Sequence, residues 1–162
     1  MALTNSSLRL AIVYSSVTGN TEQLAEMIQK AALDQGFRTE LYRIEEFSLA
    51  AILDYDVVLI GTYTWGSGEI PEEMHSLYQA VEKLGRKEQW TAVFGTGDSF
   101  FAEFCGAVDR FRDMLYVKTQ LVATLKVELT PQQNDVLRCE KLIELIREKE
   151  MQMFSSKKHG YR

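Results

Sequence analysis

Cysteine and histidine are scarce in this chain: two of each occur among its 162 residues. Cys105 and Cys139 make no disulfide framework, and two imidazoles make no metal cluster. Positive charge is short as well. A formal net charge of −5 argues against general nucleic-acid binding, which needs a basic face. No apolar run approaches the roughly 18 residues of a membrane span. The opening MALTNSS lacks the charged-then-apolar profile of a signal peptide. A cytoplasmic protein with neither a membrane nor a nucleic-acid partner is therefore expected. What is present is globular in kind: 46% hydrophobic and 25% charged residues, in a length that suits one domain with a full core.

Residues 8–28, LRLAIVYSSVTGNTEQLAEMI, organise the rest. An apolar run of strand length ends at Tyr14, and a small, hydroxylic, glycine-containing turn follows it. Apolar residues then recur at helical spacing through Leu24, Met27, Ile28, Ala31 and Ala32, with Gly36 as a stop. This reads as strand, phosphate loop, helix. Backbone amides and hydroxyls converge there on the positive end of a helix dipole. The loop holds no lysine or arginine and neither Walker A nor GxGxxG spacing. A nucleoside triphosphate or a pyrophosphate is thus a poor guest. A single terminal phosphate held by neutral donors fits better.

Strand and helix patterns alternate along the remainder. Strands are expected at 38–44, 56–61, 90–95 and 120–129, with a short helix or turn at 47–55. Helical spacing joins Met74, Leu77, Tyr78 and Val81, then Phe104, Val108, Phe111 and Leu115. A last helix is expected to open on the capping box Thr130-Pro131-Gln132-Gln133, and the tail from Ser155 is expected to fray. Such alternation implies an α/β fold, a doubly wound parallel sheet with helices on both faces. The first, third and fourth strands are nearly continuous in apolar residues and belong inside; the second and fifth alternate and belong at the edges. The resulting order is 2-1-3-4-5 in five strands. Ligands of such sheets sit beyond the C-terminal strand ends at the switch point.

That rule selects three loops. The first holds Ser15, Ser16, Val17, Thr18, Gly19, Asn20 and Thr21. The second holds Thr62, Tyr63, Thr64, Trp65, Gly66, Ser67, Gly68 and Glu69, and the third runs from Thr96, Gly97 and Asp98 through Phe100 and Phe101 to Phe104 and Cys105. The second and third combine glycines with large aromatics. A flat aromatic ligand would use Trp65 and the phenylalanines as stacking faces, with backbone amides approaching its edge at the glycines.

On these residues the chain resembles the flavodoxins, small FMN-binding electron carriers, over essentially all of 1–162 as a single flavodoxin-like domain. The resemblance rests on Ile12-Val13-Tyr14, Ser16, Gly19, Thr21, Ala25 and Ile28, on Thr64-Trp65-Gly66, and on Gly97-Asp98-Ser99 with Phe104-Cys105-Gly106. No room for the longer members' strand-five insert exists between Gln120 and Thr130, so the short-chain type is implied. By this resemblance, the side chains of Ser16, Thr18, Asn20 and Thr21 hold the FMN phosphate, with amides from Val17 and Gly19. Trp65 covers one isoalloxazine face, Thr64 and Gly66 line its edge, and Thr96, Gly97 and Asp98 meet the pyrimidine end. Phe101 stands where the family has its outer stacking tyrosine, and Ser67 where an acid often follows Trp-Gly. The implied cofactor-binding set also takes in Ser15, Thr62, Tyr63, Ser67, Gly68, Phe104 and Cys105.

The implied function is a low-potential one-electron carrier, not an enzyme, that shuttles FMN between semiquinone and hydroquinone. Its implied partners are a ferredoxin/flavodoxin-NADP reductase-type donor and redox acceptor enzymes, with the carrier itself a monomer. Absence of a cation from all three loops leaves a reduced, anionic flavin uncompensated, which makes it a strong reductant. Glu69, Glu72, Glu73, Asp98 and Glu103 form an expected acidic rim that could dock basic partners. The alternatives are a flavin or quinone reductase on the same fold, an activator of a manganese ribonucleotide reductase, and a flavin-free interaction domain.

Overall fold

A computed structural model describes residues 5–159. Its elements follow the alternation: β1 (Arg9–Tyr14), α1 (Asn20–Asp34), β2 (Arg38–Arg43), two 3-10 turns (Ile44–Glu46 and Leu49–Asp54) and β3 (Val57–Tyr63). A third 3-10 turn (Glu72–Met74) leads into α2 (His75–Leu84), followed by β4 (Trp90–Gly97), α3 (Gly106–Lys118), β5 (Gln120–Glu128) and α4 (Asp135–His159). All pairings are parallel, in the order β2-β1-β3-β4-β5.

Alternate residues of each central strand feed opposite cores. Leu10 and Ile12 of β1 meet Leu24 and Ile28 of α1 and Leu142, Ile143 and Ile146 of α4 on one face. Ala11 and Val13 join Val58, Ile60 and Val93 against Leu77, Val81, Val108 and Phe111 on the other. Burial on both faces explains the near-continuous apolar runs of β1, β3 and β4. Each fully buried large side chain contributes about 1.5–3 kcal/mol, so these layers hold the strand ends rigidly in register. The edge strands β2 and β5 are only partly covered, as their alternation requires.

Strands β3 and β4 run past their expected ends to Tyr63 and Gly97, taking in residues read as loop, and α3 opens only at Gly106, beyond Phe104. Three more departures lie in the last third of the chain. Strand β5 stops at Glu128, because Leu129 turns to φ 52° while its amide still donates to the Gly97 carbonyl at 2.8 Å. The helix expected from Thr130-Pro131 opens only at Asp135, whose carboxylate accepts the Gln132 amide at 2.7 Å. The Asp135 carboxylate reaches back to the segment before the helix, as the acid of a capping box does, while the Thr130 hydroxyl points to another element and donates to Asn20 Oδ1 at 3.2 Å. The third departure is at the tail: the segment from Ser155 to His159 continues α4, while residues 160–162 lie outside the described range. Among the described residues no helix is long and apolar enough to cross a membrane.

Candidate functional site

Parallel pairing brings the C-terminal ends of β1, β3 and β4 side by side, with Tyr14 opposite Gly61 and Tyr63 opposite Thr96. A cleft of about 190 Å³ opens there, lined by Ser16, Val17, Thr18, Asn20, Thr21, Tyr63, Thr64, Thr96, Gly97, Asp98 and Leu129. All but Leu129 are residues named from the sequence. Leu129 was missed because it read as the last residue of a strand; its positive φ turns it to the rim instead.

In the first loop a left-handed Gly19 (φ 95°) precedes α1, and no side chain caps the helix. The Ser16 hydroxyl accepts the Gly19 amide at 3.1 Å, which folds the loop back on itself. The amides that open α1 at Asn20, Thr21 and Glu22 thus stand at the positive end of the helix, ringed by the hydroxyls of Ser16, Thr18 and Thr21. An anion is the chemical complement of that arrangement. The Thr21 and Thr96 hydroxyls meet at 2.8 Å in a buried contact that ties the first loop to the third.

The second loop is a closed miniature hairpin. Trp65 and Glu69 exchange backbone hydrogen bonds of 2.8 and 2.7 Å, which leaves Gly66 and Ser67 at the tip. Its far side is clamped to α3. Gly68 takes φ 90°, and a Cβ on Gly106 would sit 2.6 Å from Gly68 Cα, so glycines at both positions permit this approach. Arg110 Nε donates to the Gly68 carbonyl at 2.8 Å, and the Ala107 amide donates to the Thr64 hydroxyl at 3.2 Å.

Three aromatics at this end are exposed: Trp65 at 62%, Phe101 at 65% and Phe100 at 93%. Apolar surface left in water forgoes about 25 cal/mol per Å², so a flat apolar ligand or partner is stabilised here. An anion socket beside stacking faces is the donor set that FMN requires, and the residues present fit it. FMN would supply the one-electron chemistry; the chain supplies binding and environment.

Other expected residues stand behind the cleft. Ser15, Thr62 and Cys105 are buried; the Ser15 hydroxyl donates to Glu73 at 2.7 Å and the Thr62 hydroxyl to the Tyr63 carbonyl at 2.7 Å. Burial pushes the Cys105 thiol up to about 12, so it is no nucleophile at neutral pH. Phe104 is half-buried, with Lys126 Nζ 6.0 Å above its ring.

Glu73 departs from the expected rim. Its Oε1 accepts from Ser15 and, at 2.6 Å, from the Tyr63 hydroxyl, pinning the ends of β1 and β3 from below. Burial pushes this carboxyl up, but the Tyr63 and Ser15 hydroxyl donors outweigh it and hold it below the ordinary carboxylate value. A depressed carboxylate contributes stability that is present above its unfolded value and lost as pH falls through its native one. Glu73→Gln should therefore flatten the acid side of the apoprotein's urea-midpoint curve below about pH 5. An unchanged slope would assign that limb to other groups.

Cations, absent from the loops in sequence, arrive from neighbouring elements. Arg43 Nη2 donates to the Ser16 carbonyl at 3.2 Å from the end of β2, and Arg110 reaches the second loop from α3. No local pattern could flag either, because each lies over 25 residues from the loop it touches. Among the described residues no group of three His, Cys, Asp or Glu could hold a metal ion.

The family model described as Flavodoxin matches residues 12–141. Probable flavodoxin 1 of Bacillus subtilis is 37% identical over 131 residues, 79% of this chain and 83% of that protein. The flavodoxin of Maridesulfovibrio salexigens is 36% identical over 131 residues, covering 78% and 90%. The crystal structure of oxidised Flavodoxin 2 from Bacillus cereus superposes with a TM-score of 0.81 at 33% identity, covering 87% of this chain and 99% of that one. With its uninterrupted fifth strand, its sheet order and these relatives, the chain belongs to the flavodoxin family, as a short-chain, FMN-based electron carrier.

Proposed function

We propose that the whole chain, 1–162, acts as one cytoplasmic, monomeric, low-potential carrier that works between the semiquinone and hydroquinone of bound FMN. It would take electrons from an NADP reductase-type donor and pass them to acceptor enzymes. The observation that carries this reading is the pairing of a neutral, hydroxyl-lined anion socket with the exposed rings of Trp65 and Phe101. We assign the phosphate to Ser16, Val17, Thr18, Gly19, Asn20 and Thr21, and the ring system to Thr64, Trp65, Gly66, Thr96, Gly97, Asp98 and Phe101.

In this reading Gly66, at φ 51° on the free tip of the second loop, is the residue whose peptide can turn when the cofactor gains a proton. The clamp at Gly68 confines that turn to the tip. Arg110 reaches the Gly68 carbonyl from α3 and does not line the cleft. It leaves the cleft without a cation of its own, as a low potential requires. Two stacked aromatics would also deny nicotinamide or quinone a face, which favours a carrier over a reductase.

Anaerobic reductive titration of the pure protein tests this. A yellow form that passes through a stable blue one-electron form, with no NADPH consumed by the protein alone, is expected. Direct two-electron bleaching, or NADPH turnover without a partner, would make it a reductase instead.

The exposed acids Glu69, Glu72 and Glu103, with half-buried Asp98, form the rim we assign to basic partners. The bimolecular rate of reduction by such a donor should fall as salt rises, since screening shortens to about 10 Å at 0.1 M. Charge reversal at Glu69 and Glu72 should flatten that dependence. A rate indifferent to salt would leave the rim a plain solvated surface.

A further inference from the structure

The first turn of α1 carries a conflict. Glu22 is the third residue of a helix whose N-terminus, on the reading above, binds a phosphate. A carboxylate and a phosphate dianion then compete for the same positive helix end, and they repel each other. Glu22 does not point away into solvent. The Tyr14 hydroxyl donates to its Oε2 at 2.6 Å, and Arg43 forms an ion pair with the same oxygen.

Sheet register creates that pair. Arg43 ends β2 directly beside Tyr14, the last residue of β1, so its guanidinium emerges at the same C-terminal edge as the phosphate loop. It lies 5.5 Å from the Tyr14 ring centre, and its Nη2 donates to the Ser16 carbonyl at 3.2 Å. Its only other carboxylate neighbour among the described residues is Glu45, at 3.7 Å and more exposed. A single guanidinium thus touches both the loop backbone and the one acid in the helix's first turn.

We propose that Arg43 is the counter-charge of the phosphate site: it neutralises Glu22 from the neighbouring strand and makes this loop selective for a phosphorylated flavin. This rests on the assignment of the phosphate to residues 16–21. Arg43 needs no direct contact with the ligand. It is a positioning and screening residue, and its effect acts on the dianion alone.

Binding of FMN and of riboflavin to the apoprotein, followed by fluorescence quenching at low ionic strength, separates the cases. Arg43→Gln should weaken FMN by about tenfold and leave riboflavin unchanged. Glu22→Gln should act in the opposite sense and tighten FMN. The double variant should return to within about threefold of the native chain, because both charges then leave together. Arg43→Lys, which keeps the charge and loses the fork, should stay close to native. High salt should shrink all of these differences.

Equal loss of FMN and riboflavin in Arg43→Gln would reduce Arg43 to a structural strut. Weaker FMN binding in Glu22→Gln, or no rescue by lysine, would also overturn the counter-charge. Thr18→Ala serves as the control for the underlying assignment. If it discriminates between FMN and riboflavin while Arg43→Gln does not, the counter-charge alone fails. If neither discriminates, the phosphate lies elsewhere.

Discussion

Thr21→Ala should weaken FMN by about ten- to hundredfold and weaken riboflavin much less, since each charge-assisted hydrogen bond contributes about 1.5–3 kcal/mol. On the assignment proposed above, the loop would contact a dianion through hydroxyls and amides, so removing one donor would leave part of that charge unmatched. Thr21 is also buried, and its hydroxyl meets that of Thr96 at 2.8 Å. Part of its loss is therefore shared by any ligand that needs the first and third loops held together. Thr18 is exposed and separates the two effects. Thr18→Ala should lower FMN affinity within the same range while leaving the apoprotein's melting temperature in place, whereas Thr21→Ala should lower both. Titration calorimetry with each ligand and thermal melts of each apoprotein make the measurement. Equal weakening of FMN and riboflavin in both variants would move the phosphate out of this loop.

Ser67→Asp should make the second one-electron potential more negative by roughly 30–120 mV. Ser67 occupies the exposed tip of the hairpin closed by Trp65 and Glu69, next to Gly66. The second electron adds negative charge to the site, so a carboxylate at the tip disfavours that step. At about 6 Å, with an effective dielectric between 20 and 80, Coulomb's law gives roughly 0.7–2.8 kcal/mol. One electron converts 1.4 kcal/mol to about 59 mV, which sets the range. The first couple should move less, because a proton taken up with the first electron leaves little net charge. Glu69 already brings a carboxyl oxygen within 3.7 Å of where a Cβ on Gly66 would stand. Glu69→Gln should accordingly shift the same couple in the positive direction. Potentiometric titration of both couples at low salt decides. A larger shift in the first couple, or a positive one for Ser67→Asp, would mean that position 67 acts through the shape of the loop.

What local pattern could carry, it carried. The switch from strand to helical spacing across residues 15–21 marked the turn between β1 and α1, because both periods are properties of single elements. Continuous apolar runs marked β1, β3 and β4 as central, because burial on two faces leaves no polar position free. From the order 2-1-3-4-5 the three loops of the candidate site followed, and ten of the eleven residues lining the cleft belong to them. Chain ends and caps were less legible. Thr130-Pro131 had the signature of a helix start, yet the Thr130 hydroxyl is drawn to Asn20 on another element and Asp135 opens the helix instead.

Side-chain direction and charge across elements belonged to the tertiary structure alone. Glu73 read as a rim acid, but packing turned it under the sheet ends to Ser15 and Tyr63. The loops contain no cation in sequence, yet β2 and α3 deliver Arg43 and Arg110 to their backs through register and helix packing. Spacing along a chain encodes which face of an element is apolar; it does not encode which residues from distant elements share an edge. That depends on strand order and register, and these are set by how the layers close over the sheet.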